Sequence, residues 1–454
     1  MNRIKKGSCL TIRIESLSYP NNGTTIIDNK PIVVPNTLPG DEVTVLIIKK
    51  RARKFEGKIL EFVKKSPLRK TNNCHHFPKC GGCQLMDIEY KDQTKLKFKA
   101  LKELLSNRLP HLAEKLQPII PSTSPFYYRN KMEFAFTQVN NTLHLGLKER
   151  GHFDKIVPIK ECRIQSKEGN KILNSIVSEL NKNPQLTVWD LKEHKGDLRH
   201  CVIRHSYTTG HTLINFIVSR SIKNELAKIV PLLVKAHPQI SGILMSINPH
   251  LGDHTNFEEQ ELLYGIDTLS EKIGDLNYTI PNNSFFQTNT HQTHVLYNEI
   301  KKIAKLNKTD TLLDLYCGSG TIGLFCSDRV KHVVGVEENP ASIKSAHVNS
   351  QQNNISNATF IEGRVKNILK FNALTPDTII VDPPRAGMVP KALKRLIECD
   401  VPTITYVSCN PKTCWEDLNI LEQANYKVES IQPIDMFPNT YHVETITHLR
   451  KHDS

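Results

Sequence analysis

The chain has 454 residues, 39% of them apolar, with 60 Lys or Arg against 46 Asp or Glu for a net charge of +14, and eleven cysteines. That length allows several domains, each with a substantial core. No stretch approaches the roughly 20 apolar residues of a membrane helix, and residues 1–16 lack the apolar core of a secretory signal, so a cytoplasmic protein with reduced thiols, no membrane role and a polyanionic partner is expected.

Residues 1–66 predict an all-β unit. The β-branched runs 10–16, 23–35, 41–50 and 55–63 are separated by turn signals such as Asn22-Gly23 and Pro39-Gly40. Short strands in so brief a span suggest an OB-like barrel, a shape that binds nucleic acids. Residues 49–70 hold ten Lys or Arg against Glu56 and Glu61. Such a run reads as a phosphate-binding surface or as a merely solvated face. Residues 66–73 read as a linker.

Residues 67–270 form a second expected unit, of mixed α+β character. It opens on Cys74, Cys80 and Cys83, the last two spanning Gly81-Gly82, while Cys162 lies far along the chain. Four thiolates suit tetrahedral zinc or an iron–sulfur cluster, and spacing alone leaves the two even. His75 and His76 read better as loop residues than as substitute ligands. A Lys-rich helix is predicted over 90 to about 116, with Leu96, Leu101 and Leu104 among its apolar positions. From 127 to about 267 strands and helices mix without a legible repeat.

Residues 271–454 predict a third unit. Helix 293–306 leads to strand 311–317, a Gly turn and a helix. Strand 332–338, helix 341–352 and strands 358–363 and 378–384 come next. Helix 391–399 and strand 403–409 follow, and 426–437 with 442–450 suggest a closing antiparallel pair. This alternation argues for a doubly wound, mostly parallel sheet of Rossmann-like type, with ligands at the C-terminal edge of the strands.

The chemistry-bearing motifs fall at that edge. Asp314-Leu315-Tyr316-Cys317-Gly318-Ser319-Gly320-Thr321 joins a strand to a helix through glycines that let a ligand approach the backbone. Glu337 ends the next strand at the distance where an acidic residue accepts ribose hydroxyls. Gly318, Gly320 and Gly323 formally match a dinucleotide pattern, so NAD competes on this motif alone. In Asp382-Pro383-Pro384-Arg385 the prolines fix the backbone and present Asp382 rigidly beside a cofactor, with a plain strand terminator and turn as the alternative; Asp-Pro-Pro after a strand resembles a methyltransferase signal, and that resemblance argues against NAD. Val407-Ser408-Cys409-Asn410-Pro411 ends a strand at the same edge. A lone cysteine in an apolar strand is usually core, but Asn410 and Pro411 stop the strand and bring the thiol to the cleft, where it can act as a nucleophile. Glu444, near the last strand pair, is a candidate base; by itself it would read as a surface carboxylate. Asn283-Ser284-Phe285-Phe286-Gln287 precedes the third unit, with both Phe expected in the core and Gln287 able to hydrogen-bond a cofactor or a base edge.

Together the Cys-x5-Cys-x2-Cys loop, Ser284-Phe285-Phe286-Gln287, the Gly turn, Asp382-Pro383-Pro384-Arg385, Ser408-Cys409-Asn410-Pro411 and His442-Val443-Glu444 make the chain resemble the bacterial RNA uracil-C5-methyltransferases over nearly its whole length. It is most similar to the branch that acts on 23S ribosomal RNA and carries a [4Fe-4S] cluster. The resemblance implies an N-terminal TRAM barrel, a cluster-bearing central domain and a C-terminal class I methyltransferase domain. It implies that Cys74, Cys80, Cys83 and Cys162 bind the cluster, which tilts the choice from zinc to iron–sulfur. It also implies that Gln287, Tyr316, Glu337 and Asp382 line an S-adenosylmethionine site, with Thr321 and Arg364 as adenosine-side contacts. Cys409 becomes the nucleophile that attacks C6 of uracil, and Glu444 the base that removes the C5 proton. Residues 127–131 resemble a segment that meets RNA, with a plain basic strand start as the alternative. The rival readings are the T-loop uridine of tRNA as target, a base amino-nitrogen methyltransferase, and a non-catalytic iron–sulfur RNA-binding or redox-sensing protein.

Overall fold

A computed structural model describes residues 4–452 except 21, 52–53, 73, 183–184 and 372–373. Residues 1–3 of the first unit, Arg53 of the basic run and Asn73 of the linker lie outside the described residues. No described helix is long and apolar enough to cross a membrane.

The four β-branched runs fold as six strands in one sheet: Cys9–Arg13, Ser16–Ser18, Asn22–Ile27, Lys30–Pro35, Glu42–Lys50 and Phe55–Lys64, in spatial order first, fifth, sixth, fourth, third, second. Burial alternates along Glu42–Lys50, so Val43, Val45 and Ile47 point inward onto Ile12, Ile32, Val34 and Phe55. Asp41 accepts the backbone N–H groups of Leu38 and Ser66 at 2.7 and 2.8 Å, and Arg69 donates to both of its carboxylate oxygens. Arg69 also pairs with Asp87 at 2.5 Å. One cation of the basic run therefore works as a strut between the barrel and the cysteine segment.

The unreadable middle resolves into a seven-stranded sheet, ordered Glu259–Gly265, Ile240–Ile247, Thr212–Val218, Leu198–His205, Lys131–Val139, Thr142–Lys148 and Ile156–Pro158. Helices Lys167–Leu180 and Lys223–Ala236 pack on it. Every residue of Leu198–His205 and Thr212–Val218 is buried, which removes the alternation that marks a half-exposed strand.

The third sheet carries the motifs. Its strands, numbered in chain order, are β1 (Thr311–Leu315), β2 (His332–Glu337), β3 (Ala358–Glu362), β4 (Thr378–Val381), β5 (Thr403–Ser408), β6 (Tyr426–Ile434) and β7 (Glu444–Lys451). They lie in the order β3-β2-β1-β4-β5-β7-β6, with β1 to β5 parallel and β7 antiparallel to both neighbours. This is the doubly wound, mostly parallel sheet expected from the sequence, closed by an antiparallel pair.

The predicted Lys-rich helix runs Tyr90–Arg108, and a 3-10 turn, Pro110–Lys115, takes up the rest of the expected span. Its Leu101 and Leu105 join the core of the third sheet rather than that of the central sheet. The chain then runs beside β6, where the Gln117 and Ile120 N–H groups donate to the Ile431 and Pro433 carbonyls.

Candidate active site

Parallel strands β1, β2, β4 and β5 all end at one edge, and antiparallel β7 begins there. Ser408 pairs with Thr445 across β5 and β7, so the next residue on one strand and the preceding residue on the other, Cys409 and Glu444, are neighbours. Asp382 follows β4, whose Val381 pairs with Tyr406 of β5 and with Leu315 of β1.

Glu444 is 4% exposed, which rules out the surface-carboxylate reading. Burial raises its carboxyl well above the ordinary range, and the neighbouring Asp382 adds to the shift. Burial also raises Asp382. Cys409 is half-buried, not sealed in the core. Burial pushes its thiol up to about 12, Glu444 and Asp382 reinforce that, and Arg385 opposes it. Asn410 caps helix Pro411–Gln423 by accepting the Lys412 N–H at 3.3 Å, and its amide donates to the Arg385 carbonyl at 2.9 Å. The turn carrying the thiol and the turn carrying Arg385 are thereby tied together.

The Gly turn between β1 and helix Thr321–Cys326 needs left-handed backbone at Tyr316, Gly318 and Gly320. The Gly318 N–H donates to Glu337 Oε2 at 3.2 Å, while Glu337 Oε1 accepts the Asn339 N–H at 2.9 Å. Asp314 accepts the Gly323 N–H at 2.9 Å, and burial pushes its carboxyl up to about 7. Gly323 itself is packing: a Cβ there would stand 2.8 Å from Val333. Tyr316 is half-buried beside this turn. The Thr321 hydroxyl lies 2.7 Å from that of Tyr297, and Arg364 pairs with Glu338 at 3.2 Å, both partners well exposed. Gln287 is buried, its carbonyl accepting from Asn130 at 2.8 Å.

The structure thus brings Asp382, Cys409 and Glu444 to one spot and Tyr316 and Glu337 to the adjoining turn. Thr321 directly follows the turn and is engaged by buried Tyr297, whereas Arg364 is exposed and paired with Glu338. One expectation fails: Phe286 is core, but Phe285 is 72% exposed. It lines a groove of about 870 Å³ on the central sheet together with Arg129, Lys131, Lys148 and Arg150. Three further neighbours of the cleft were given no role by the sequence: two belong to quoted motifs and the third lies in the barrel, far from any of them. They are Arg385, His442, whose imidazole is pushed down to about 4 by burial and by Arg385, Lys97 and Arg129, and Tyr19 of the barrel, whose phenol is raised by burial and interacts electrostatically with Arg385, Cys409 and Glu444.

Cys74, Cys80, Cys83 and Cys162 line a single pocket with Phe77, Met86 and Ile164. Burial raises Cys80, Cys83 and Cys162, the last to about 11, and the nearby thiols add to each shift. Asn170 holds the Cys162 turn through both its N–H and its carbonyl. His76 accepts the Lys160 N–H at 3.3 Å, in keeping with a loop role. The donor type and the convergence suit a thiolate-held group. The side-chain spacing does not: among the described residues no group of three or more His, Cys, Asp or Glu is arranged to hold a metal ion.

Comparison with known proteins matches residues 89–452 to the family profile of tRNA (uracil-5-)-methyltransferases and residues 3–60 to the TRAM domain. An RNA methyltransferase of Clostridium tetani is 35% identical over 455 residues, covering 99% of each chain. One from Caldanaerobacter subterraneus subsp. tengcongensis is 34% identical over 98% of this chain and 99% of its own. Among solved structures, the Pyrococcus abyssi tRNA (uracil-54, C5)-methyltransferase in complex with S-adenosyl-L-homocysteine is 28% identical with a TM-score of 0.75, covering 97% of this chain and all of that one. The chain therefore belongs to the tRNA (uracil-5-)-methyltransferase family of S-adenosylmethionine-dependent RNA methyltransferases.

Proposed function

We propose that this enzyme methylates C5 of one uridine in 23S ribosomal RNA through a covalent adduct between Cys409 and C6 of the base. The observation that carries the reading is the half-buried Cys409 thiol flanked by the buried carboxyl of Glu444 and the half-buried one of Asp382. C5 of uracil is a weak nucleophile. The Cys409 thiol loses its proton to solvent, the thiolate bonds to C6, and the C5–C6 π pair moves towards the C4 carbonyl oxygen, leaving an enolate whose C5 is nucleophilic. Bound S-adenosylmethionine supplies the electrophilic methyl. Glu444 then takes the C5 proton, the C5–C6 double bond re-forms and the C6–S bond breaks, returning the cysteine. Both C5 and C6 must be reached, so the target uridine is unstacked, in a loop or flipped out.

In this reading Gln287, Tyr316, Thr321, Glu337, Arg364 and Asp382 contact the cofactor. The chain divides into a TRAM unit over 1–66, a central unit over 67–270 and a methyltransferase unit over 271–454, and the barrel and the Lys-rich segment from Tyr90 to about Leu116 contact RNA phosphates. Cys74, Cys80, Cys83 and Cys162 hold a [4Fe-4S] cluster, supported by the pocket the four share. The methyl transfer requires no electron transfer to or from a redox partner, so that cluster is a structural or RNA-positioning part. Anaerobically purified protein should be brown, with about four irons per chain; a colourless or zinc-bearing protein overturns the cluster.

Cys409→Ala should abolish both the denaturation-resistant protein–RNA band and methylation, and retained turnover overturns the nucleophile. The Pyrococcus abyssi relative favours a second reading, the T-loop uridine of tRNA. Mapping 5-methyluridine by mass spectrometry in rRNA and tRNA from cells with and without the protein separates the two. Loss from 23S rRNA is expected, and loss from tRNA alone overturns the ribosomal target.

A further inference from the structure

The loop 435–443 joins β6 to β7 and delivers Glu444 to the cleft. Its hydrogen bonds come largely from outside the sheet. Lys97 and Asp435 form an ion pair at 2.7 Å with both side chains fully buried. The same ammonium donates to the Phe437 carbonyl at 3.1 Å and the His442 carbonyl at 3.3 Å. All three donors of the lysine are thereby used, on residues at both ends of one loop. The Tyr90 hydroxyl donates to the second Asp435 oxygen at 3.0 Å. Gln93, one helical turn before Lys97, accepts the Asn439 N–H at 2.9 Å and donates to the Asn439 side chain at 3.0 Å. Tyr128 donates to the Pro438 carbonyl at 3.0 Å and Asn289 to that of Met436 at 3.0 Å.

Cys409 is held differently. Its strand is fixed by Tyr406, which donates to Asp417 at 2.6 Å, and by the Asn410 cap. The nucleophile thus rests on helix Pro411–Gln423, while the approach to the base rests on helix Tyr90–Arg108.

We propose that Lys97, with Asp435 and Tyr90, is a positioning device that sets Glu444 against C5 of the bound base and so governs release of the covalent intermediate rather than its formation. This rests on the assignment of Glu444 as the base. A buried lysine that loses its carboxylate, or the reverse, leaves a charge without a partner. The informative variant is therefore Lys97→Met/Asp435→Asn, which removes both charges together and keeps an acceptor for Tyr90.

The experiment uses the full-length enzyme and unmodified 23S rRNA and tRNA transcripts, taking whichever one the wild type methylates. Rapid quench follows the denaturation-resistant protein–RNA band and the appearance of 5-methyluridine. The double variant should form the band within about threefold of the wild-type rate and release product at least tenfold more slowly, so the band accumulates. Tyr90→Phe, nearly isosteric and removing no charge, loses the hydroxyl that donates to Asp435 and accepts the Ser122 N–H, and should shift the band-to-product ratio about threefold the same way. Formation and release slowed by the same factor, or an unchanged ratio in either folded variant, overturns the proposal. Glu444→Gln is run in parallel: if it fails to accumulate the band, the base assignment itself is wrong, whatever Lys97 does.

Discussion

At the residue scale, the cleft crowds two carboxyls around a thiol. Burial holds the Cys409 thiol near 12, with Glu444 and Asp382 pushing the same way and only Arg385 pulling down. Below that value the thiolate fraction rises about tenfold per pH unit. The single-turnover rate of adduct formation should therefore climb steadily from pH 6.5 to 8.5 without a plateau; a plateau near neutrality would mean that bound RNA lowers the thiol. Arg385→Gln removes the opposing charge and should slow adduct formation by roughly 3–10-fold, read in the same assay. Glu444→Gln keeps the shape of the side chain but cannot take the C5 proton. It should form the adduct and hold it, seen as a persistent band after denaturation.

At the element scale, turns decide the chemistry. Gly320 caps helix Thr321–Cys326 with φ +75°, and a Cβ there would lie 2.8 Å from the Phe360 ring. Gly320→Ala should cost about 1–3 kcal/mol from the backbone strain alone. Because the same turn carries Tyr316 and Gly318 towards Glu337, it should weaken S-adenosylhomocysteine binding by at least about tenfold, roughly 1.4 kcal/mol. Thermal melting and titration calorimetry check the two parts separately. The antiparallel course of β7 matters as much. Had β7 run parallel to β5, Glu444 would start at the opposite edge, far from Cys409.

At the scale of the whole molecule, charge and connectivity act together. The net charge of +14 makes phosphate contact a large share of RNA affinity. Binding of the methylated transcript should fall linearly on a log–log salt plot with a slope steeper than about −3, and a flat response would argue against phosphate contacts. Not every cation of the basic run and the Lys-rich helix is free for this. Arg69 braces Asp41 and Asp87, and Lys97 is buried against Asp435. Composition counts such residues as surface because it has no knowledge of burial.

The sequence by itself determined the β-rich beginning, the doubly wound end, and the identity of the motifs at its ligand edge. These rest on local patterns: alternation, turn glycines and prolines, and strand-to-helix transitions. It offered Cys409 as a candidate nucleophile from its place at a strand end, and Glu444 as a candidate base chiefly through the family resemblance. Only the tertiary structure decided that they are neighbours, because 34 residues separate them in the chain and the register of β5 with β7 closes that gap. The central sheet stayed illegible because its inner strands are buried on both faces. The burial of Lys97 and the exposure of Phe285 were decided by which surfaces meet after folding, which no local pattern carries.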